Sequence, residues 1–196
     1  MNVLAIETSS AYGSVALARG KEMRKVERFF SPQRHSESLT RALIRLELES
    51  IALDKILIGL GPGSFTSIRV GLAMAYGLAL VKGCEVWGVW SHYSQGRQMR
   101  HVTRLILVTD ARRGCVYVTE YERGKLYRAT YMVRSEELDN CLSKGTLAAT
   151  ADWRDERLER IFPRAEDYLD LYDDPNFQDW QRERLEPFYL PIEKMS

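Results

Sequence analysis

The sequence has little that would tie it to an oxidising compartment, to a membrane or to nucleic acid. Its only cysteines are Cys84, Cys115 and Cys141, and an odd number at wide spacing is typical of a reducing compartment. Neither sign of charge is in excess, because 28 Lys and Arg residues stand against 27 Asp and Glu residues. No signal-peptide pattern precedes the first apolar run, and the longest uncharged apolar run, Val70 to Val81, is too short for a bilayer span. We therefore expect a globular, cytoplasmic protein with no membrane partner.

Common catalytic motifs are missing as well. No Gly-x-Ser-x-Gly elbow occurs in the sequence, which argues against a serine hydrolase. The histidines are His35, His92 and His101, and none has a second histidine at the four-residue spacing of a helical zinc site. We expect no metal site in this chain.

The most informative stretch runs from Gly59 to Val81. A glycine-rich turn ends an apolar strand pattern there and leads directly into a helix that is apolar on nearly all sides. Glycine costs about 1 kcal/mol relative to alanine inside a helix, so Gly71 and Gly77 indicate the close approach of another backbone. A helix that is apolar all round is expected to be buried on every side. One side can face a sheet, and the other needs a cover from this chain or from a partner.

The glycine-rich turn allows two interpretations. Backbone N–H groups at such a helix N-terminus can bind a phosphate, which would give Gly63 and Ser64 a role in a phosphate loop. The structural alternative, which we favour, is that Ser64 caps the helix and that the glycines serve the turn. The lysine that would complete a P-loop is absent.

The order of the predicted elements repeats along the chain. Three strands, a helix and a strand lead to the glycine-rich turn and its helix, and three strands, a helix, a strand and a helix follow after residue 102. Apart from the helix after the turn, the predicted strands are 3–6, 14–18, 22–30, 56–60, 85–89, 105–108, 115–121, 126–133 and 146–150, and the predicted helices are 36–50, 91–100, 135–142, 152–161 and 175–185. This pattern predicts two lobes, 1–102 and 103–196, with the last helix packed back on the first lobe. Such lobes resemble the actin, Hsp70 and sugar-kinase superfamily, so we predict an α/β, two-lobed actin-like ATPase fold built from duplicated ribonuclease H-like lobes.

Glu7 and Asp110 occupy matching positions in the two predicted lobes. Across a cleft their carboxylates could hold Mg²⁺ through water; alternatively, an acid at a strand end caps a turn. The adenosine site that an ATPase of this superfamily has in its second lobe is incomplete here, since Gly145 stands alone and the chain has no Gly-Gly pair. We therefore expect the cleft geometry without active use of a metal.

The sequence resembles the TsaB (YeaZ) family in one long motif and several short ones. The long motif is Gly61-Pro62-Gly63-Ser64-Phe65-Thr66-x-x-Arg69-x-Gly71-Leu72, with Gly77-Leu78-Ala79 after it. The short motifs are Ile6-Glu7-Thr8-Ser9, His35-Ser36-Glu37, Asp110-Ala111-Arg112-x-Gly114-x-Val116-Tyr117 and Glu186-Pro187-x-Tyr189-Leu190. The match covers most of the chain, and its long motif is the specific one. Beside typical members of the family, the lobe 103–196 is shortened in the segment from Gly145 to Phe162.

The resemblance implies an accessory subunit rather than an enzyme. Members of this family are non-catalytic paralogues of TsaD and pair with it; with TsaE, ATP and Mg²⁺ they serve threonylcarbamoyl transfer to tRNA beside the anticodon. The chain alone is then expected to bind no cofactor, and its own contact with tRNA would be indirect or weak. The H-x-x-x-H metal motif of TsaD aligns with Ser91 and Gln95, and His92 lies one residue out of place.

The resemblance also implies a partner surface on the first two helices, used in homodimers and in pairs with TsaD. The residues expected there are Leu39, Leu43, Phe65, Ile68, Arg69, Gly71, Leu72, Ala75 and Tyr76. A vestigial phosphate loop would comprise Glu7, Thr8, Ser9, Gly63, Ser64 and Asp110. Gly71 is expected to admit the partner helix, so a bulky residue there would abolish pairing and leave the monomer folded.

Other functions remain open at the level of sequence. One is an ATP-dependent phosphotransferase or ATPase of the actin-like class that uses Glu7 and Asp110. A weaker one is a peptidase, against which the missing metal ligands argue.

A basic cluster near the lobe junction could contact RNA phosphate, although it lacks interleaved aromatic residues and is otherwise a solvated face. Its arginines are Arg97, Arg100, Arg104, Arg112 and Arg113.

Overall fold

The computed structural model describes residues 1–32, 35–142 and 146–190, so the predicted glycine signal at Gly145 lies outside the described residues. The first half of the chain forms β1 (Asn2–Glu7), β2 (Tyr12–Arg19), β3 (Glu22–Phe30), α1 (His35–Arg45), β4 (Lys55–Gly59), α2 (Phe65–Lys82), β5 (Glu85–Val89) and α3 (His92–Gln98). The second half forms β6 (Arg104–Arg112), β7 (Cys115–Glu122), β8 (Lys125–Arg134), a 3₁₀ turn (Ser135–Glu137), α4 (Leu138–Cys141), β9 (Leu147–Thr150), β10 (Glu159–Arg160) and α5 (Ala165–Tyr172).

The two halves repeat one sheet topology. The first sheet has the order β3-β2-β1-β4-β5, with β1 antiparallel to β2 and parallel to β4. The second sheet has the order β10-β9-β6-β7-β8, with β6 antiparallel to β7 and parallel to β9. Written from its other edge, the second order is β8-β7-β6-β9-β10, so its strands follow the same arrangement as those of the first sheet. The predicted fold class, a duplicated two-lobed α/β architecture, is confirmed, and the predicted lobe boundary falls between α3 and β6.

Both faces of the first sheet are covered, as the alternation of side chains along β1 requires. Leu4 and Ile6 pack with α1 and α2 on one face. Val3 and Ala5 pack on the other face against α5, whose buried side chains include Tyr168 and Leu169. The helix α5 belongs to the second half of the sequence but lies on the first sheet, which brings residues far apart in the chain to the end of β1.

The helix α2 is buried on one face only. Ser64 caps its N-terminus, and Gly83 ends it in the left-handed region with a φ of 67°. Ile68, Leu72 and Ala75 face the sheet, whereas Leu80 is 86% exposed and Val81 is 81% exposed. The sequence left open whether this chain or a partner covers the second side of the helix, and the described part of this chain leaves Leu80 and Val81 uncovered. Its 18 residues would by length and composition also suffice to cross a membrane, a property that it shares with core helices of α/β proteins.

Two predicted helices in the second lobe are wrong. In 152–161 the Thr150 hydroxyl accepts hydrogen bonds from the N–H groups of Asp152 and Trp153, and the Asp155 carboxylate accepts one from the N–H of Arg157. Such side-chain bonds favour turns over a helix. The last helix is α5, rather than one in 175–185. The three acids of α5, Glu166, Asp167 and Asp170, obscured its apolar stripe. That stripe consists of Ala165, Tyr168, Leu169 and Leu171.

Candidate functional site

The glycine-rich turn docks against the loop that follows β1. A Cβ atom on Gly63 would lie 2.2 Å from the carbonyl oxygen of Ser9, so only glycine fits there. The N–H of Ser64 donates to that same oxygen at 2.7 Å, and the Ser64 hydroxyl accepts from the N–H of Ser67 at 3.4 Å. The next loop residue back, Thr8, is buried and donates to the Ser67 carbonyl oxygen at 2.9 Å. These contacts place Thr8, Ser9, Gly63 and Ser64 together, as the sequence predicted. The polar groups named above, however, form hydrogen bonds with one another and with Ser67.

Glu7 is completely buried at the end of β1. Its carboxylate accepts hydrogen bonds from the N–H of Ser9, from the Ser91 hydroxyl at 2.8 Å and from the Tyr168 hydroxyl. A Cβ atom on Gly59 would lie 2.0 Å from its Oε2 atom, which shows how tightly it is enclosed. Burial, and next the nearby charge of Glu7, raise the pKa of Tyr168 well above its ordinary value. The Glu7 carboxylate is thus satisfied inside the protein.

Asp110 lies at the matching hairpin of the second lobe in a different environment. Its carboxylate accepts a hydrogen bond from the N–H of Arg112 at 2.7 Å and pairs with the guanidinium of that residue at 2.9 Å. Burial raises the pKa of the neighbouring Asp152 to about 6, and the charge of Asp110 acts in the same direction. Asp110 and Gly63 line a cavity of about 620 Å³ that Glu7 does not reach. The expected pair of carboxylates facing each other across one cleft is therefore not formed.

The positions aligned with the metal motif also serve internal contacts. The Ser91 hydroxyl accepts from the N–H of Gly61 at 3.0 Å while it donates to Glu7. The Gln95 amide donates to the carbonyl oxygen of Ile161 at 2.8 Å. His92 is buried against the Tyr121 hydroxyl at 2.6 Å, and burial lowers its pKa to about 3, so it is neutral at pH 7. In the part of the chain that the structure describes, no group of three or more His, Cys, Asp or Glu residues could hold a metal ion.

The residues expected at the partner surface divide into two sets. The buried set consists of Leu39, Leu43, Ile68, Gly71, Leu72 and Ala75. These side chains pack within the chain's own core, so they are not available on the surface of this structure. Gly71 in particular faces inward, because a Cβ atom there would lie 2.5 Å from the Thr8 hydroxyl oxygen. The close approach that this glycine permits is to the chain's own loop and not to a partner helix.

The exposed set forms one face of α2. Phe65 is 51% exposed and Tyr76 is 46% exposed, and Arg69 lies between them on the same face. Sequence reasoning missed Ala73, Gly77, Leu80 and Val81, which are also exposed. The sequence signal for this face is the helical spacing of Phe65, Arg69, Ala73, Tyr76 and Leu80, which follow one another at intervals of four, four, three and four residues. We call this set the α2 face, defined as Phe65, Arg69, Ala73, Tyr76, Gly77, Leu80 and Val81.

The predicted arginine cluster is divided among separate contacts. Arg97 pairs with Asp170 at 3.2 Å, and Arg104 pairs with Glu120 at 3.4 Å. Arg112 pairs with Asp110, as described above. Arg113 lines the 620 Å³ cavity, and the backbone of Arg100 lies beside Gly124. A contact with tRNA through these residues stays a prediction.

The model of the family described as TsaD, tRNA N6-adenosine threonylcarbamoyltransferase, matches residues 31–143, more than half of this chain. The chain belongs to the TsaD family. The match begins before α1 and includes the glycine-rich turn, the α2 face and the hairpin at Asp110.

Individual relatives agree with this membership. The chain is 32% identical over 133 residues to the tRNA threonylcarbamoyladenosine biosynthesis protein TsaB of Escherichia coli, which covers 64% of this chain and 57% of that protein. It is 40% identical over 132 residues to an uncharacterised protein of Mycobacterium leprae, which covers 62% of this chain and 36% of that protein. The predicted resemblance to TsaB is confirmed, and the chain matches about half or less of the length of these curated relatives.

Solved structures resemble the chain along nearly its whole length. A Pseudomonas aeruginosa protein, described as uncharacterised and similar to the peptidase YeaZ, superimposes with a TM-score of 0.75 at 26% identity. The superposition covers 97% of this chain and 99% of that chain. The YeaZ structure from the same organism gives a TM-score of 0.73 at 23% identity, which bears on the fold alone.

Proposed function

We propose that this protein is a non-catalytic, accessory subunit of the machinery that makes threonylcarbamoyladenosine in tRNA beside the anticodon. It would work in the cytoplasm by pairing with a TsaD-like catalytic paralogue, together with a TsaE-like ATPase. Membership in the TsaD family and the TsaB relative in E. coli support this proposal. ATP and Mg²⁺ would be used by the complex and not bound by this chain alone.

The observation that carries the proposal is the α2 face. Leu80 and Val81 are 86% and 81% exposed, on a helix whose opposite face is already packed on the sheet. Burial of one such aliphatic side chain contributes about 1.5–3 kcal/mol, and exposed apolar surface of this kind marks an interaction site. Gly77 has no atom within 4 Å of its hypothetical Cβ, so another helix could approach the backbone closely there. Before the catalytic paralogue binds, a second copy of this chain would cover the same face as a homodimer.

The interior of the first lobe supports an accessory role over catalysis by this chain. Glu7, which a phosphotransferase of the actin-like class would need in its cleft, accepts three hydrogen bonds in the core. Ser91 and Gln95, which replace the metal-binding histidines of the catalytic paralogue, are engaged in internal hydrogen bonds as well. These side chains stabilise the fold and are withdrawn from solvent.

A reconstitution tests this function. Threonylcarbamoyl-adenylate, tRNA, ATP and the TsaD-like and TsaE-like subunits are combined with this chain, without it, or with Leu80→Glu, and modified adenosine is counted. We expect modification to require the chain and to fall at least about tenfold with Leu80→Glu, since 1.4 kcal/mol of lost pairing already corresponds to a factor of ten. Tyr127→Glu is the matched control, because Tyr127 is 64% exposed on β8, away from the α2 face.

Two outcomes would contradict the proposal. One is full modification without this chain. The other is ATP turnover by the isolated chain, which would favour the phosphotransferase instead. Sedimentation of each variant by itself shows whether it is folded and compact. Sedimentation together with the catalytic paralogue then shows whether it pairs, and a folded Leu80→Glu variant should sediment separately from the paralogue.

A further inference from the structure

A groove of about 930 Å³ lies on another part of the surface, where the first hairpin meets the segment before α5. Its walls come from β2, β3, the C-terminal end of α3 and residues 160–164. We call it the basic aromatic groove, defined by Tyr12, Arg28, Phe30, Arg160, Phe162 and Arg164. None of these residues belongs to the α2 face or to the glycine-rich turn.

The aromatic rings of the groove contact one another at tilted angles, and two of them are exposed. The Tyr12 ring lies between Phe30 and Phe162, with centroid distances of 4.7 and 4.2 Å and interplanar angles of 43° and 44°. Packing between the lobes explains why Tyr12 contacts Phe162. It does not explain why Phe30 is 60% exposed and Tyr12 is 46% exposed. Apolar ring surface is therefore open to the groove.

The charge of the groove has one sign. Three arginines line it, and no Asp or Glu is among its lining residues. Arg28 pairs with Glu166, whereas Arg160 and Arg164 form no salt bridge within the residues that the structure describes. Two exposed arginines thus stand beside exposed aromatic rings, and Arg164 interacts electrostatically with Asp167 without forming a salt bridge to it.

This combination fits one class of ligand. A single-stranded nucleic acid offers flat bases that stack on aromatic rings and phosphates that pair with guanidinium groups. A duplex hides its base faces, and the aromatic rings would then have no partner. We propose that the basic aromatic groove binds single-stranded RNA. The choice of RNA over DNA rests on the proposed function in tRNA modification; the groove itself rests on the contacts above.

Fluorescence anisotropy with a short, labelled single-stranded RNA and the isolated full chain tests this proposal. Phe30→Ala removes the most exposed ring and is expected to lower the affinity about tenfold, within the range measured for the loss of one stacked base. Arg160→Glu with Arg164→Glu is expected to weaken binding further. That variant should also flatten the slope of log affinity against log salt by about 1.4, since each phosphate contact contributes about 0.7 on single strands.

Matched controls come from the same chain. Tyr127→Ala removes an aromatic ring that is 64% exposed elsewhere, and Arg19→Glu with Arg154→Glu makes the same change in net charge outside the groove. Both should bind RNA like the wild type. Urea unfolding of each variant verifies that the chain is folded at the assay temperature.

Several results would overturn the proposal. They are no binding by the wild type, equal affinity of the groove variants and the wild type, competition by duplex RNA or by adenosine monophosphate as strong as that by the single strand, and tighter binding of single-stranded DNA. The assay contains no other subunit, so its failure would leave the reconstitution result unaffected. A failed reconstitution would likewise leave RNA binding by the isolated chain measurable.

Discussion

The hydroxyl of Tyr168 on α5 donates a hydrogen bond to the carboxylate of Glu7 at the end of β1. The two residues are 161 positions apart, and both are completely buried. Their contact joins a helix from the second half of the sequence to the central strand of the first sheet. It also supplies the third hydrogen bond of a carboxylate that would otherwise be under-satisfied in an apolar environment.

Tyr168→Phe should destabilise the protein with little change in shape. Phenylalanine keeps the ring packing but leaves the Glu7 carboxylate with one donor fewer, and such a buried loss costs about 1–3 kcal/mol. Urea unfolding at pH 7 measures the change in the free energy of unfolding. Tyr127→Phe is the control, since Tyr127 is 64% exposed on β8. An unchanged unfolding midpoint for Tyr168→Phe would mean that the hydrogen bond contributes nothing to stability.

The two glycines within α2 should respond to alanine in opposite directions. At Gly71 the new methyl group would lie 2.5 Å from the Thr8 hydroxyl oxygen and 3.2 Å from Ile58, so Gly71→Ala should lower the free energy of unfolding by about 1–3 kcal/mol. At Gly77 nothing lies within 4 Å, and Gly77→Ala should raise it by about 1 kcal/mol through helix propensity. Urea unfolding of both variants tests this expectation. A Gly71→Ala variant as stable as the wild type would contradict the inward orientation of Gly71 and would favour its predicted place at the partner surface.

Asp152→Asn should stabilise the protein at neutral pH and not at pH 4. Burial raises the pKa of Asp152 from 3.8 to about 6, so the folded state binds more protons than the unfolded state between these values. The stability of the wild type therefore falls as pH rises from about 4 to 6, and the cost is constant above that range. Asparagine avoids this cost and can still accept the hydrogen bond from the N–H of Asp110. We expect a gain of about 3 kcal/mol at pH 7, since each unit of pKa shift corresponds to about 1.4 kcal/mol.

Asp155→Asn provides the opposite case within the same loop. Hydrogen bonds from Arg157 lower the pKa of Asp155 to about 2. The stabilisation that the ionised Asp155 gives the folded state is therefore present at neutral pH and is lost as pH falls from about 4 towards 2. Asp155→Asn should therefore destabilise the protein at pH 7, whereas Asp152→Asn should stabilise it. Unfolding measured at pH 4 and pH 7 tests both, and a gain for Asp152→Asn that is equal at the two pH values would contradict the assigned pKa.

Local signals were sufficient for most elements of the fold. The strands of the first hairpins follow from short apolar runs separated by glycine turns, and the start of α2 follows from the Ser64 cap. The helix α5 was missed because its acids dominate the composition of the segment, although Ala165, Tyr168, Leu169 and Leu171 give it a buried face. The segment 152–161 was misassigned because side-chain bonds to its backbone, such as those of Thr150, are not visible in periodicity.

The sequence by itself determined the duplicated α/β architecture, the glycine-rich turn and the membership in the TsaD family, because periodicity, turn residues and motif spacing are local properties. Only the tertiary structure decided which face of α2 is exposed, since both faces are apolar and the sheet selects one of them. It also decided that Gly71 faces Thr8, that Glu7 is bound by Tyr168 and that exposed rings and arginines meet in one groove. Each of these relationships depends on contacts between residues far apart in the chain, and such contacts cannot be predicted from local sequence patterns.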